Sequence, residues 1–173
     1  MTICFIGGGV MAESFIAGVL KEGLFSSDQI YVSDPIADRR EYLTDTYGVN
    51  CLKDNIDILD KRGKILLAVK PQTLPEVYKD LKGKISPGRP VISIVAGSNS
   101  SDLSKGLEHR QIIRVMPNTP SQIGKGMLVW TSTNEVNSTD IEEIGAILKT
   151  LGEEYYVHDE KYIDMATALS ASG

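Results

Sequence analysis

Two cysteines and two histidines in 173 residues leave little material for a disulfide framework or a metal centre. Cys4 lies within an apolar segment and Cys51 beyond a second expected helix, so both read as small buried hydrophobes. His109 and His158 have no Cys or His neighbour at ligand spacing, and no metal site is expected. A basic excess is lacking as well. The net charge of -5 speaks against nucleic acid or an anionic membrane as the main partner, because an acidic surface attracts neither. No stretch approaches the roughly 20 apolar residues of a membrane span, and the chain opens on a strand-like segment rather than a charged leader, which makes a cytoplasmic location the expectation. Repeats, low-complexity tracts and Ser/Gly linkers are absent too. What remains is 42% hydrophobic residues, enough for one sizeable core, or one domain with the start of another.

The most informative segment is the first. Thr2-Ile3-Cys4-Phe5-Ile6 reads as a short apolar strand that runs directly into Gly7-Gly8-Gly9-Val10-Met11-Ala12, a G-x-G-x-x-A turn. In such a turn Gly7 permits the tight bend, Gly9 lets the backbone approach a pyrophosphate, and Ala12 lets the following helix pack close to the strand. The anion is held by backbone N–H groups and the positive end of the helix, so no basic side chain is obligatory. Met11, Phe15 and Val19, with Ala12, Ile16 and Leu20 beside them, give that helix one apolar face, and Gly23 stops it. A second strand at 29–33 completes a βαβ unit. It ends at Asp34, a little beyond the roughly 20 residues at which an acid reads the adenosine ribose.

Strand and helix signals then alternate. Helices are expected over 38–47, 74–81, about 100–107 (capped by Ser100, Ser101 or Asp102), 140–151 and 162–169; strands over 64–69, 91–95, 112–116, 127–130 and 155–157. This order specifies an α/β, Rossmann-like, doubly wound and mostly parallel sheet with ligand outside the C-terminal strand ends. Those ends carry unusual residues. Lys70-Pro71-Gln72 follows one strand and Pro117-Asn118-Thr119-Pro120 another, and each proline stiffens the wall of the site. Lys70 reads either as a solvated lysine or, the reading favoured by its place at a strand end, as a neighbour of the bound phosphates through its backbone or its ammonium. Residues 117–120 read equally as a rigid turn or as polar groups of the site, and Ala96-Gly97 as an ordinary turn or as the small residues that admit ribose and nicotinamide.

Five blocks in order, Ile6 to Ala12, Ala68-Val69-Lys70-Pro71-Gln72, Ser93 to Gly97, Arg114-Val115-Met116-Pro117-Asn118-Thr119-Pro120 and Ala168 to Gly173, resemble pyrroline-5-carboxylate reductase along the whole chain. The resemblance implies reduction of 1-pyrroline-5-carboxylate to L-proline, the last step of proline biosynthesis, with NADP(H) or NAD(H) as hydride donor. It implies cofactor contacts at Ile6, Gly7, Gly9, Val10, Met11, Ala12, Ser33, Asp34, Asn55, Ala68, Val69, Lys70, Pro71, Ala96 and Gly97, and a nicotinamide-side loop at Pro117, Asn118 and Thr119. Val10 and Ala171 depart from the family's usual polar residue and glycine. Asp34 departs more consequentially: relatives that use NADPH tend to have Ser or Asn there, and a carboxylate repels a 2′-phosphate. Arg39 and Arg40 are near enough in sequence to compensate, or are simply solvated, so the choice between NADH and NADPH stays open.

The resemblance also implies a helical domain after the last block, interlocking subunits into a homo-oligomer and supplying much of the substrate site. Residues 1–158 are therefore expected to be the NAD(P)-binding domain and 159–173 the start of a second domain whose remainder is absent, as in a truncated form or fragment that binds cofactor only. No residue is expected to donate a proton, since a protonated imine is already electrophilic and the task is positioning. Two alternatives are a related imine or 3-hydroxy-acid oxidoreductase and a non-catalytic dinucleotide-binding regulator.

Overall fold

Ile3, Cys4, Phe5 and Ile6 are all fully buried, as a strand must be when it is paired on both edges and covered on both faces. This strand, β1 (Ile3–Ile6), lies parallel between β2 (Ile30–Ser33) and β4 (Lys64–Leu67). The computed structural model describes residues 2–170, with side chains described to residue 166. The block from Ala168 to Gly173, including Ala171, thus lies outside the described side chains. Beyond β2 comes β3 (Asn50–Leu52), and beyond β4 come β5 (Val91–Ser93) and β6 (Ile112–Met116), all parallel. The sheet closes with β7 (Gly126–Ser132) and β8 (Gly152–Tyr156), giving the order β3-β2-β1-β4-β5-β6-β7-β8.

Period-two alternation along β1 sends its side chains to two separate cores. Ile3 and Phe5 join Phe15, Ile16 and Val19 of α1 (Val10–Lys21), Leu43 of α2 (Ala37–Tyr47) and Ile144, Ile147 and Leu148 of α5 (Ser138–Lys149). Cys4 and Ile6 face the other way, onto Leu74, Val77 and Leu81 of α3 (Leu74–Leu81) and Leu103 and Leu107 of α4 (Ser100–Leu107). A sixth helix, α6 (Lys161–Ser170), packs beside β6 and β7. Each fully buried Phe or Ile contributes roughly 1.5–3 kcal/mol, so the apolar stripe of α1 alone fixes the helix that follows the glycine turn.

Several expected boundaries shift. The sheet is mostly parallel, as expected, and its reversal falls at β7, which pairs antiparallel with β6 and is followed by β8 in parallel. The linker from Pro117 to Lys125 is too short for a crossover helix, so the chain can only turn back. The strands expected at 64–69 and 91–95 stop at Leu67 and Ser93, which leaves Ala68, Val69 and Ala96 on the loops above the sheet. Cys51 sits in the edge strand β3 and is only half-buried. The cap of α4 is Asn99, whose side chain accepts from the Asp102 amide at 2.8 Å. Ser100 is occupied instead by Glu160, which accepts both its N–H and its hydroxyl. Gly48 ends α2 in the left-handed conformation (φ 68°), as the sequence predicts.

Candidate functional site

The C-terminal ends of β2 and β4 flank the glycine turn that follows β1. Gly7 has φ +92°, a region closed to most L-residues, and a Cβ there would stand 2.8 Å from the Ala68 carbonyl oxygen and 3.0 Å from Val69 Cγ1. Its N–H donates to the Ser33 carbonyl at 2.9 Å, so the turn is gripped between the ends of β2 and β4. Gly9 differs: it is exposed, its φ is ordinary, and a Cβ on it would meet nothing within 4 Å. It is the N-cap of α1 and offers no capping side chain. The first bond at that end runs from the Glu13 N–H to the Gly9 carbonyl, which leaves the amides of Val10, Met11 and Ala12 directed out of the helix toward this open space. An anion at that position meets N–H donors and the positive end of a helix of 12 residues. A dinucleotide pyrophosphate fits that donor set and the bare backbone approach. Ala12 is fully buried against the sheet, the close packing its small size permits.

Asp34 lies beneath the turn rather than pointing into solvent. One carboxylate oxygen accepts from the Gly8 amide at 2.9 Å and the other from the Ile36 amide at 2.9 Å, and the residue is 8% exposed. Serine in its place would therefore lose part of the scaffold of the turn as well as a charge. Arg39 and Arg40 both approach the same loop. Arg40 donates to the Asp34 carbonyl at 2.8 Å, while Arg39 donates through Nε to the Gly8 carbonyl and through Nη2 to Glu13 at 2.5 Å. Glu13 is the centre of a cluster that the sequence reading missed. Its other oxygen accepts from the Tyr42 and Tyr47 hydroxyls, each at 2.9 Å, and the Arg39 guanidinium lies 5.0 Å from the Tyr42 ring centroid. Burial opposes ionisation of Glu13, but the bonds from Arg39, Tyr42 and Tyr47 outweigh it and hold its pKa below the usual range. Burial and the bond to Glu13 push Tyr47 up to about 12. Arg39 and Tyr42 at i, i+3 share a helix face legible in the sequence, but their partner on another helix does not.

The remaining expected residues divide. Lys70, Pro71, Ala96 and Gly97 are exposed along the same edge of the sheet, and Gly97 has φ +75°. Residues 119–123 form a 3₁₀ turn packed on α1, and Thr119 is exposed. Asn118 is turned inward: its Oδ1 accepts from the Met127 amide at 2.9 Å, which favours the rigid-turn reading for this side chain. Ser33 is fully buried, its hydroxyl donating to Asn55 at 2.8 Å, and Asn55 in turn donates to Asp80 of α3 at 2.9 Å. These two are brought together with each other, below the surface. A shallow cleft of about 340 Å³ lies elsewhere, lined by Arg62, Lys64, Ser86 and Arg89 at the amino ends of β4 and β5. The glycine turn instead faces an open groove at the carboxyl ends, where doubly wound sheets bind ligands. Among the described residues no helix is long and apolar enough to cross a membrane, and no group of three or more His, Cys, Asp or Glu could hold a metal ion.

Comparison with known proteins agrees with this geometry. The family described as NADP oxidoreductase coenzyme F420-dependent matches residues 2–97. The pyrroline-5-carboxylate reductase of Synechocystis sp. is 38% identical over 169 residues, which is 97% of this chain and 62% of that protein. Among solved structures, a pyrroline-5-carboxylate reductase from Coxiella burnetii superimposes with a TM-score of 0.93 at 30% identity, covering 99% of this chain and 64% of the other. The Plasmodium falciparum pyrroline carboxylate reductase, solved with NADP bound, gives 0.86 at 27% identity, covering 100% of this chain and 63% of the other. The chain thus spans a little under two thirds of the relatives it matches.

Proposed function

We infer function from the premise that this chain belongs to the NADP oxidoreductase coenzyme F420-dependent family, and propose that it is the dinucleotide-binding part of a pyrroline-5-carboxylate reductase. The observation that carries the proposal is the 38% identity to the Synechocystis enzyme along 97% of the chain, on a fold whose α1 begins at an uncapped, sterically open glycine. Residues 1–158 form the nucleotide-binding domain, and residues 159–173 belong to the start of a helical part that completes the substrate site and joins subunits. The substrate is 1-pyrroline-5-carboxylate, the product L-proline, and the location the cytoplasm.

When bound, a reduced nicotinamide, from NADPH or NADH, supplies the hydride. The chain's own work is placement. The amides of Val10, Met11 and Ala12 hold the pyrophosphate, Ile6 and Gly7 shape the floor, and Asp34 fixes the turn at the adenosine end. Ala68, Val69, Lys70 and Pro71 with Ala96 and Gly97 line the path toward the nicotinamide, and Pro117 and Thr119 stand at its far end. Ser33 and Asn55 act from below, by holding the end of β2. No proton donor is assigned among these residues, because an imine protonated on nitrogen already has an electrophilic carbon for the hydride, and what the chain would contribute is positioning.

The test is an assay of the whole protein that contains this chain, following oxidation of NADH and NADPH that depends on pyrroline carboxylate. Proline formation is the expected result. Dinucleotide binding without imine reduction would point instead to a regulator, and reduction of a different imine or a 3-hydroxy-acid couple would point to a related enzyme. The 173-residue chain alone is expected to bind dinucleotide and to turn over far more slowly than the whole protein.

A further inference from the structure

Four charged side chains surround the adenosine end of the turn, and their arrangement bears on the one choice the sequence leaves open. Two are negative, Asp34 and Glu13, and two positive, Arg39 and Arg40. A 2′-phosphate is recognised by guanidinium groups that are free to point at it, whereas a 2′-hydroxyl needs only an acceptor. Here the guanidinium closest to the turn is committed. Arg39 spends Nε on the Gly8 carbonyl and Nη2 on Glu13, with a longer contact to the Gly9 carbonyl at 3.4 Å, and its face lies against Tyr42. Glu13 is held in turn by the two tyrosine hydroxyls, so the carboxylate that occupies Arg39 is itself fixed by three donors from α2. Its side chain is 20% exposed and that of Arg39 24%, so solvent only partly screens the pair.

We propose that Glu13 is a specificity-determining residue: by occupying Arg39 it keeps the local charge near zero and makes the turn favour NADH over NADPH. The inference rests on the reading of this turn as a dinucleotide site, and Glu13 acts through Arg39 rather than by touching the phosphate. The pyrophosphate is common to both dinucleotides, so a general change in charge moves both affinities together. Only the ratio of the two isolates the 2′-phosphate.

The experiment measures dissociation constants of NADH and NADPH for the chain by the fluorescence of the reduced nicotinamide, with circular dichroism as the check on folding. The unaltered chain is expected to bind NADH more tightly. Glu13→Gln keeps the shape and an acceptor for the tyrosines but removes the charge, and is expected to shift the affinity ratio toward NADPH on the order of threefold to tenfold. Adding Arg39→Gln to it should abolish that shift. Tyr42→Phe, which removes one donor without changing charge, should move the ratio much less than Glu13→Gln does. Should Glu13→Gln alone fail to fold, the double variant decides, because it removes the pair without changing the local charge: it is expected to leave the ratio close to that of the unaltered chain. A selective loss of NADPH binding in the double variant would show that Arg39 already serves the phosphate and would overturn the proposal, as would an unchanged ratio in folded Glu13→Gln. If neither dinucleotide binds the unaltered chain, the dinucleotide reading fails, and that outcome is distinct from an unchanged ratio.

Discussion

Gly7 and Gly9 look alike in the sequence and are set apart by what surrounds them. Gly7→Ala would place a methyl group 2.8 Å from a backbone oxygen at φ +92°, where nothing can give cheaply, and is expected to cost about 1–3 kcal/mol of stability together with dinucleotide binding. At Gly9 the added methyl meets no protein atom within 4 Å, so Gly9→Ala should leave the melting temperature nearly unchanged while weakening NADH binding, because the methyl fills the space the pyrophosphate needs. Melting and NADH titration of both variants check this. Equal effects of Gly9→Ala on stability and binding would contradict the assignment of the open side of the turn. The motif was therefore legible as a motif, but the division of labour within it was not. Asp34 shows the same limit: spacing put it at the ribose end, yet its bonds to the Gly8 and Ile36 amides depend on how the loop folds back.

Elements were most legible where a single face is buried. The stripe on α1 is such a local pattern and stands where the sequence puts it, whereas the apolar run of β4, buried on both faces, marks the strand but not its end at Leu67. The edge strand β3 was not found, since three residues with an exposed Asn50 carry no alternation, and the reversal at β7 was not found because period two is the same in either direction. The joint between elements was hidden for a similar reason: Arg114 on β6 looks like an ordinary strand residue. It is 6% exposed, and donates to Glu160 at 2.9 Å and to Asp164 of α6 at 2.8 Å, while Glu160 also takes the Ser100 amide of α4. One guanidinium thus ties β6, α4 and α6. Arg114→Met is expected to cost about 1–3 kcal/mol, since it removes both charge-assisted bonds of a buried guanidinium while Glu160 keeps its bonds from Ser100, and to raise amide exchange in α6 before the rest of the fold. Adding Glu160→Gln should recover part of the loss. Urea unfolding and hydrogen exchange measure both, and uniform exchange across the molecule would argue against a local joint.

At the scale of the whole molecule, the two ends of the sheet carry different chemistry. The carboxyl ends hold the open glycine turn; the amino ends hold buried ionisable groups bonded to the surrounding fold. Lys64 at the start of β4 donates to Asp140 at 2.7 Å and to Glu143, pinning α5 to the sheet. Arg89 reaches the Gly63, Leu59 and Ile58 carbonyls. His109 sets its Nε2 2.8 Å from the Arg89 carbonyl. Burial lowers the His109 pKa, the bond to the Arg89 carbonyl opposes that shift, and the nearby Arg89 charge adds to the lowering. With a folded pKa below the ordinary 6.5, the unfolded chain binds the proton first as pH falls. The neutral ring's contribution is complete above 6.5 and is lost progressively between 6.5 and the lower folded value. Glu13, also lowered, adds a second loss further into acid, below the ordinary carboxylate value of 4.5. Stability from urea unfolding should therefore decline in two stages between neutral and acid pH. His109→Gln should flatten the first stage and leave the second, while Glu13→Gln should do the reverse. Because the first stage belongs to the amino ends and the second to the glycine turn, saturating NADH should leave the first stage in place even as it raises stability throughout.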